Sequence, residues 1–549
     1  MDTNNKAPSF LSNVLTVIFA QVVVKLLGFA YRIINTATPG FAAGGNSIYS
    51  VGFNIYTALL AISSIGIPNA ISKLVAERCA LDDFKGAMRI FKVALVIFFL
   101  LGSFLSLAMY LSAEAISAFM RVNAVYTIKV LSPAVMLVSV SSVIRGFFAG
   151  QQNMKATNTS QVLEQFLKSL SSILIVYSMS VVFNIRRPEF LAAGATLATT
   201  LSTALSLFYL FIFYKANKKD IKEKVAAAPS IQLKGKTSSI VKTILAVSIP
   251  FSLAAVAAAI NRLIDSFTVV RCLMTSMKDI SADPKFLAKS ANSLNGLLST
   301  VDPLINLPLA LTIAFSTVLV PTVTAAFTKK DYKTAEEKIS LSLLLSIIIS
   351  LPCIAGYMAL STPVMHTLFP SVIKEIGAIS EIQANGPLLF SIVSFSIFFS
   401  AMYQTMSGSL QGMGKIYIPA TSVFIGGIVK LILNLILISN PKIHIYGAGV
   451  SAVACQATAF FISFCVLKKN LPMKLSFTKY VLKPFLAAAV MGGGVLGIST
   501  FLIPKLGNLL TLFISIGCGV IIYGAMVIAL KIFSREELSA LPIIGKKFK

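Results

Sequence analysis

Leu15–Arg32 reads LTVIFAQVVVKLLGFAYR and Leu245–Arg262 reads LAVSIPFSLAAVAAAINR. Both are apolar over most of a membrane span, and both end on an arginine, Arg32 and Arg262, 230 residues apart. Lys25 sits inside the first. A second pair, Lys168 in FLKSLSSILI and Lys430 in IVKLILNLIL, is separated by 262 residues. Even the lenient insertion scale sets a central lysine or arginine at a cost of about 3 kcal/mol, so such residues face a cavity or pathway rather than lipid. Repeating that cost in both halves of a chain predicts two related halves around a positively lined chamber, and a transported species that is anionic.

The rest of the chain fits that frame. Mean hydropathy is +0.84, and charged residues make up only 12% of 549, which excludes an ordinary soluble domain. Runs of about 20 mostly apolar residues recur fourteen times between residues 10 and 531, predicting an all-α polytopic membrane protein with fourteen transmembrane helices. Loops on the side of the N-terminus are rich in lysine, most of all 215–242 and 468–483, whereas 37–46 has neither Lys nor Arg. The positive-inside rule therefore places both termini in the cytoplasm. Arg186–Arg187 and the group Arg271, Lys278, Lys285 and Lys289 go against the rule and are read as local exceptions. The net charge of +27 is mainly this topology signal, suited to anionic membrane lipids, and no nucleic-acid partner is expected.

The repeat extends past the charges. SIGIP, ending at Pro68, lines up with TVLVP, ending at Pro321, and Gly146-Phe-Phe-Ala-Gly150 lines up with Gly408-Ser-Leu-Gln-Gly412. An even helix number per repeat keeps both lobes in one orientation. The expected organisation is two pseudo-symmetric six-helix lobes plus two C-terminal helices: an N-lobe with its basic linker over 1–240, a C-lobe over 241–470, and the extra pair with a basic tail over 471–549.

Catalytic machinery is not evident. Two histidines and six unpaired-looking cysteines leave no metal site, disulfide framework or cofactor to expect. The stretch from Gly408 to Lys415 superficially resembles a phosphate loop, but Ile416 stands where that loop needs Ser or Thr. Lys25 and Arg32 are two helical turns apart and share a face, with Gly28 leaving room between them. Glu164 precedes Lys168 by four residues and Arg262 precedes Asp265 by three, so each pair can neutralise itself along its helix. These charges read either as ion pairs that lock the lobes or as a substrate pocket tuned, or coupled to an ion, by Asp265 and Glu164. Pro68 and Pro321 are either helix terminators or hinges of a cytoplasmic gate beside Lys73, Glu77 and Arg145. The glycine spacing reads first as helix packing, and Arg145 reads first as snorkelling to lipid phosphate at the rim.

Lys25–Arg32 (KLLGFAYR), Gly66–Glu77 (GIPNAISKLVAE) and Arg145–Met154 (RGFFAGQQNM) together resemble the stage V sporulation protein B family. It belongs to the polysaccharide-transporter branch of the multidrug/oligosaccharidyl-lipid/polysaccharide flippase superfamily, which includes the MurJ-type lipid II flippases. The resemblance spans essentially the whole chain. It implies a bacterial cytoplasmic-membrane flippase for an undecaprenyl-pyrophosphate-linked cell-wall precursor, working by alternating access, with the last two helices forming a lipid groove. Cell-wall synthesis or sporulation proteins are the implied protein partners. The expected cargo is lipid II, held by Lys25, Arg32 and Arg262 with Lys168 and Lys430 in support, and the coupling ion stays open. The rivals are an exporter of another polyprenyl-linked unit, a cation-coupled multidrug exporter, whose cavity would be acidic, and a non-transporting scaffold.

Overall fold

The computed structural model describes residues 10–533 apart from 65, 152, 228–236, 380–383, 472 and 474–475; part of the basic linker and the C-terminal tail thus lie outside it. Among the described residues there are helices and no strands. The helices are α1 (Phe10–Ala37), α2 (Ala42–Ser63), α3 (Ile67–Cys79), α4 (Phe84–Leu111), α5 (Ala113–Met120), α6 (Val125–Gly150), α7 (Lys155–Tyr177), α8 (Pro188–Ala216), α9 (Lys218–Ala227) and α10 (Thr237–Ser276). They continue as α11 (Pro284–Thr328), α12 (Tyr332–Ala359), α13 (Ser361–Leu368), α14 (Pro370–Gly377), α15 (Gly386–Ser394), α16 (Ser396–Gly412), α17 (Tyr417–Leu433), α18 (Ile445–Asn470) and α19 (Lys483–Ala529). Among the described residues, eleven helical runs are long and apolar enough to cross a membrane, a count that does not reach the fourteen expected. One of them, Thr478–Ala529, runs through a non-helical Gly507 at φ +71°, a conformation that glycine adopts without steric cost.

Packing divides the chain into two units, one of residues 1–274 with 281–296, the other of 275–280 with 297–549. Sequence kinship and packing answer different questions here: the repeat pairs α10 with α1, while the packing groups α10 with the first unit. Gly66 at the head of α3 meets the backbone of Ser252 on α10 so closely that no Cβ fits. Asn54 of α2 donates to Ser266 of α10 at 3.0 Å.

The repeat is visible in the local chemistry of each unit. Asp83 caps α4 by accepting from the Gly86 amide at 2.8 Å, and Asp331 caps α12 by accepting from the Thr334 amide at 3.1 Å. Both helices are 28 residues long, and each is followed by an eight-residue helix. Such aspartates satisfy amides that the first helical turn leaves orphaned. Further on, a Cβ on Gly146 would lie 2.9 Å from the Pro68 carbonyl and one on Gly150 2.7 Å from the Val75 Cβ. In the second unit a Cβ on Gly408 would lie 2.8 Å from the Ser316 carbonyl and one on Gly412 2.8 Å from the Val323 Cβ. The glycines do serve helix packing, and they correct the expected register. Pro68 corresponds to Ser316, not to Pro321, which falls five residues later inside the continuous helix α11; the Pro321 side chain itself lies outside the described residues. The later growth in offset comes from α14 and its flanking loop, which have no counterpart between α5 and α6.

Candidate functional site

Four of the five intramembrane cations, Lys25, Arg32, Lys168 and Arg262, belong to the first unit; Lys430 belongs to the second. Arg32, near the end of α1, is aimed at α2. Its Nε donates to Asn46 Oδ1 at 3.2 Å and its Nη2 to Ser50 Oγ at 2.6 Å. The guanidinium stands 5.1 Å from the Tyr49 ring centroid. Asn46 and Ser50 are one turn apart on α2, so a single face supplies both acceptors, and Asn46 is itself fixed by donating to the Gly296 carbonyl at 3.0 Å. Gly296 is required there, because any side chain would collide with the Ala43 carbonyl. Two committed bonds leave about three of the guanidinium N–H donors for a ligand.

The Tyr49 hydroxyl is hydrogen-bonded to that of Tyr31 at 2.8 Å. On the far side, the Lys168 ammonium lies 5.6 Å from the Tyr31 ring centroid and 4.2 Å from that of Phe53. Lys168 is 8% exposed, and the ring faces supply negative potential where water is scarce. Two cations thus bracket a buried tyrosine pair. Neighbouring bonds hold α7 against α1: Asn35 donates to Ser172 at 2.7 Å and Ser169 to the Leu27 carbonyl at 3.3 Å.

Lys25 and Arg262 are both solvent-accessible and close enough for the Arg262 charge to act on Lys25. Gly28, between Lys25 and Arg32, faces the Gln165 amide, which a Cβ would meet at 3.4 Å. Asp265 is half-buried one turn beyond Arg262.

Glu164 does not pair with Lys168. Its carboxylate accepts from Arg145 Nη2 at 2.7 Å, and Arg145, 7% exposed, also donates to Ser160 at 2.9 Å and Ser206 at 3.0 Å. Arg145 is therefore not a snorkelling rim residue but the hub of a polar core joining α6, α7 and α8. Seen from α7, both partners lay within reach of Glu164, but Ser160 and Ser206 favour Arg145 by satisfying its planar fork. At the expected gate, Pro68 occupies the first turn of α3, and Lys73 and Glu77 form an exposed i,i+4 pair at 4.0 Å. Lys430 is buried on α17 at 7% exposure. The second unit adds an uncharged crevice of about 400 Å³ lined by Ser316, Tyr403, Gln404, Ser407 and Gln411.

Sequence reasoning missed Tyr31, Tyr49, Asn46 and Ser50. The signal was present: Tyr31 adjoins Arg32, and an Asn–Ser pair at i,i+4 on the next apolar helix is costly in lipid without a partner.

Residues 10–327, which include four of the five intramembrane cations, match the family model described as polysaccharide biosynthesis protein. The chain belongs to that family. It is 24% identical over 542 residues to stage V sporulation protein B of Bacillus subtilis (strain 168), covering 98% of each. It is 26% identical over 460 residues to lipid II flippase MurJ of the same strain, covering 82% of this chain and 80% of that protein. A solved lipid II flippase MurJ in an inward closed conformation shares the fold, with a TM-score of 0.64 at 12% identity over 94% of this chain and 99% of that one. The chain is thus a multi-pass membrane protein of a flippase and transporter lineage, not an enzyme.

Proposed function

We propose that this chain flips an undecaprenyl-pyrophosphate-linked cell-wall precursor, lipid II, from the inner to the outer leaflet of the bacterial cytoplasmic membrane by alternating access. The observation that carries the reading is the concentration of Lys25, Arg32, Lys168 and Arg262 in one unit, with Glu164 withdrawn by Arg145. A doubly charged head group suits such a group of cations, and Arg32, with donors to spare, suits bidentate binding of phosphate oxygens. Asp265 is the remaining candidate for charge tuning or ion coupling, and Lys430 the candidate from the second unit. A multidrug exporter of cationic compounds would favour acids where these cations stand. In this reading α1, α10 and the two arms of the kinked C-terminal run bring the spans to fourteen, in two six-helix lobes and a final pair, with both termini in the cytoplasm.

Lipid II has the support of the MurJ relative. A different polyprenyl-linked glycan has support of its own, because the matching family model is that of polysaccharide biosynthesis protein. Depletion in cells with no redundant flippase separates them. Lipid II should accumulate while its fraction open to an externally added lipid II-cleaving enzyme falls. Unchanged external accessibility would exclude lipid II as the cargo.

A further inference from the structure

Within the second unit, α12, α16, α18 and the start of α19 border an open-sided apolar cavity of about 720 Å³. Rings and aliphatic chains line it, among them Phe398, Phe460, Phe464, Phe477 and Tyr480. Leu343 and Met358, both on α12, mark its extent, about 22 Å along the helix axis. That exceeds the depth of one leaflet, half of a hydrocarbon core of about 30 Å. One end is basic. Lys468 follows Phe464 by one turn on α18, and Lys479 and Lys483 lie in the same short segment as the lining residues Phe477, Tyr480 and Val481. The Lys479 ammonium is 5.9 Å from the Tyr480 ring centroid. Glu336 and Glu337 lie in the second turn of α12, which starts at Tyr332, and Lys468, Lys479 and Lys483 outnumber them.

We propose that this cavity is a seat for an anionic glycerophospholipid, with an acyl chain between the four helices and the phosphate at Lys468, Lys479 and Lys483. A greasy slot open to lipid fills with some chain in any bilayer; the basic end is what selects the head group. The lipid would act as a resident wedge fixing the start of α19 against α12 and α18, independent of the cargo flipped through the protein.

The test is lipid retention by the full chain, purified from nanodiscs of equimolar phosphatidylglycerol and phosphatidylethanolamine and weighed by native mass spectrometry. The wild type should retain phosphatidylglycerol preferentially. Removing two charges in a Lys468→Gln, Lys483→Gln variant should cut that preference roughly tenfold or more, because each lysine near an anionic lipid surface counts about fivefold. Ala489→Phe, which narrows the cavity from its accessible wall, should lower retention of both lipids without changing their ratio. Equal retention by the wild type, or a preference that survives the double variant, overturns the proposal. So does a polyprenyl phosphate displacing the phospholipid from the wild type but not from Ala489→Phe, which would assign the slot to cargo.

Discussion

Replacing Arg145 with Met keeps the length of an apolar stem and deletes the fork that holds Glu164. Arg145 exposes 9% of its side chain and Glu164 23%, with 2.7 Å between Nη2 and Oε2. Stranding one partner of a fully buried pair costs about 3–5 kcal/mol. The residual exposure of Glu164 lets water recover part of that, so about 2–4 kcal/mol is expected. The remaining contact of Glu164, with the Thr203 hydroxyl at 3.5 Å, is too long to compensate. Glu164→Gln keeps an acceptor oxygen and leaves Arg145 its two serines, so its cost should be smaller, about 1–3 kcal/mol. The double variant strands no charge and should be more stable than Arg145→Met alone, with a coupling energy of at least about 1 kcal/mol. Heating detergent-solubilised fusions and measuring the monodisperse fraction by fluorescence-detected chromatography ranks the four proteins. Strictly additive losses in the double variant, or a wild-type Arg145→Met, would refute the buried hub and restore Arg145 to the rim.

Gly150→Ala and Gly412→Ala should each destabilise by about 1–3 kcal/mol through overpacking, and by similar amounts, because their Cβ atoms would meet equivalent valines at 2.7 and 2.8 Å; the same thermal ranking reads this out. Arg32→Ala should abolish complementation at normal protein level while Arg32→Lys keeps part of the activity, since charge survives and the fork does not. His444 Nδ1 accepts from the Ile445 amide at 2.8 Å at the start of α18, and burial holds the ring below its usual pKa of 6.5. The neutral form is favoured in the fold, so the unfolded cap binds more protons. Its stabilisation is complete above 6.5 and is lost as pH falls from there through the lowered folded pKa. Amide exchange at Ile445, corrected for intrinsic rates, should speed up below pH 6.5 in the wild type and stay level in His444→Asn.

Most of the fold was legible because membrane helices announce themselves one at a time. Length and hydropathy identify a span without reference to its neighbours, and an aspartate before a long apolar run, as at Asp83 and Asp331, marks where one begins. The cations were legible for a related reason, since a charge in lipid demands an explanation in any fold. Their partners were not, because a partner is a fact about packing. Lys168 had an acid one turn away, but two rings contributed by α1 and α2 stand beside its ammonium, while that acid turned to Arg145.

Register failed for the same reason. SIGIP and TVLVP resemble each other as strings, and both end on proline. Yet Pro68 opens a new helix after a break, whereas Pro321 lies within α11. A proline tolerated in a first turn, where its missing N–H is not needed, is a different device from one inside a helix. Small residues at a helix crossing leave less freedom: where an added Cβ would lie within 3 Å of a backbone carbonyl, only glycine fits. The carbonyls of Pro68 and Ser316, seated against Gly146 and Gly408, therefore outrank the shared prolines as evidence of which residues descend from the same ancestral position. By that measure Pro68, read as either a helix terminator or a hinge, has no proline counterpart at the equivalent position of the second unit. If the two halves open differently, the break before α3 is where the asymmetry is built.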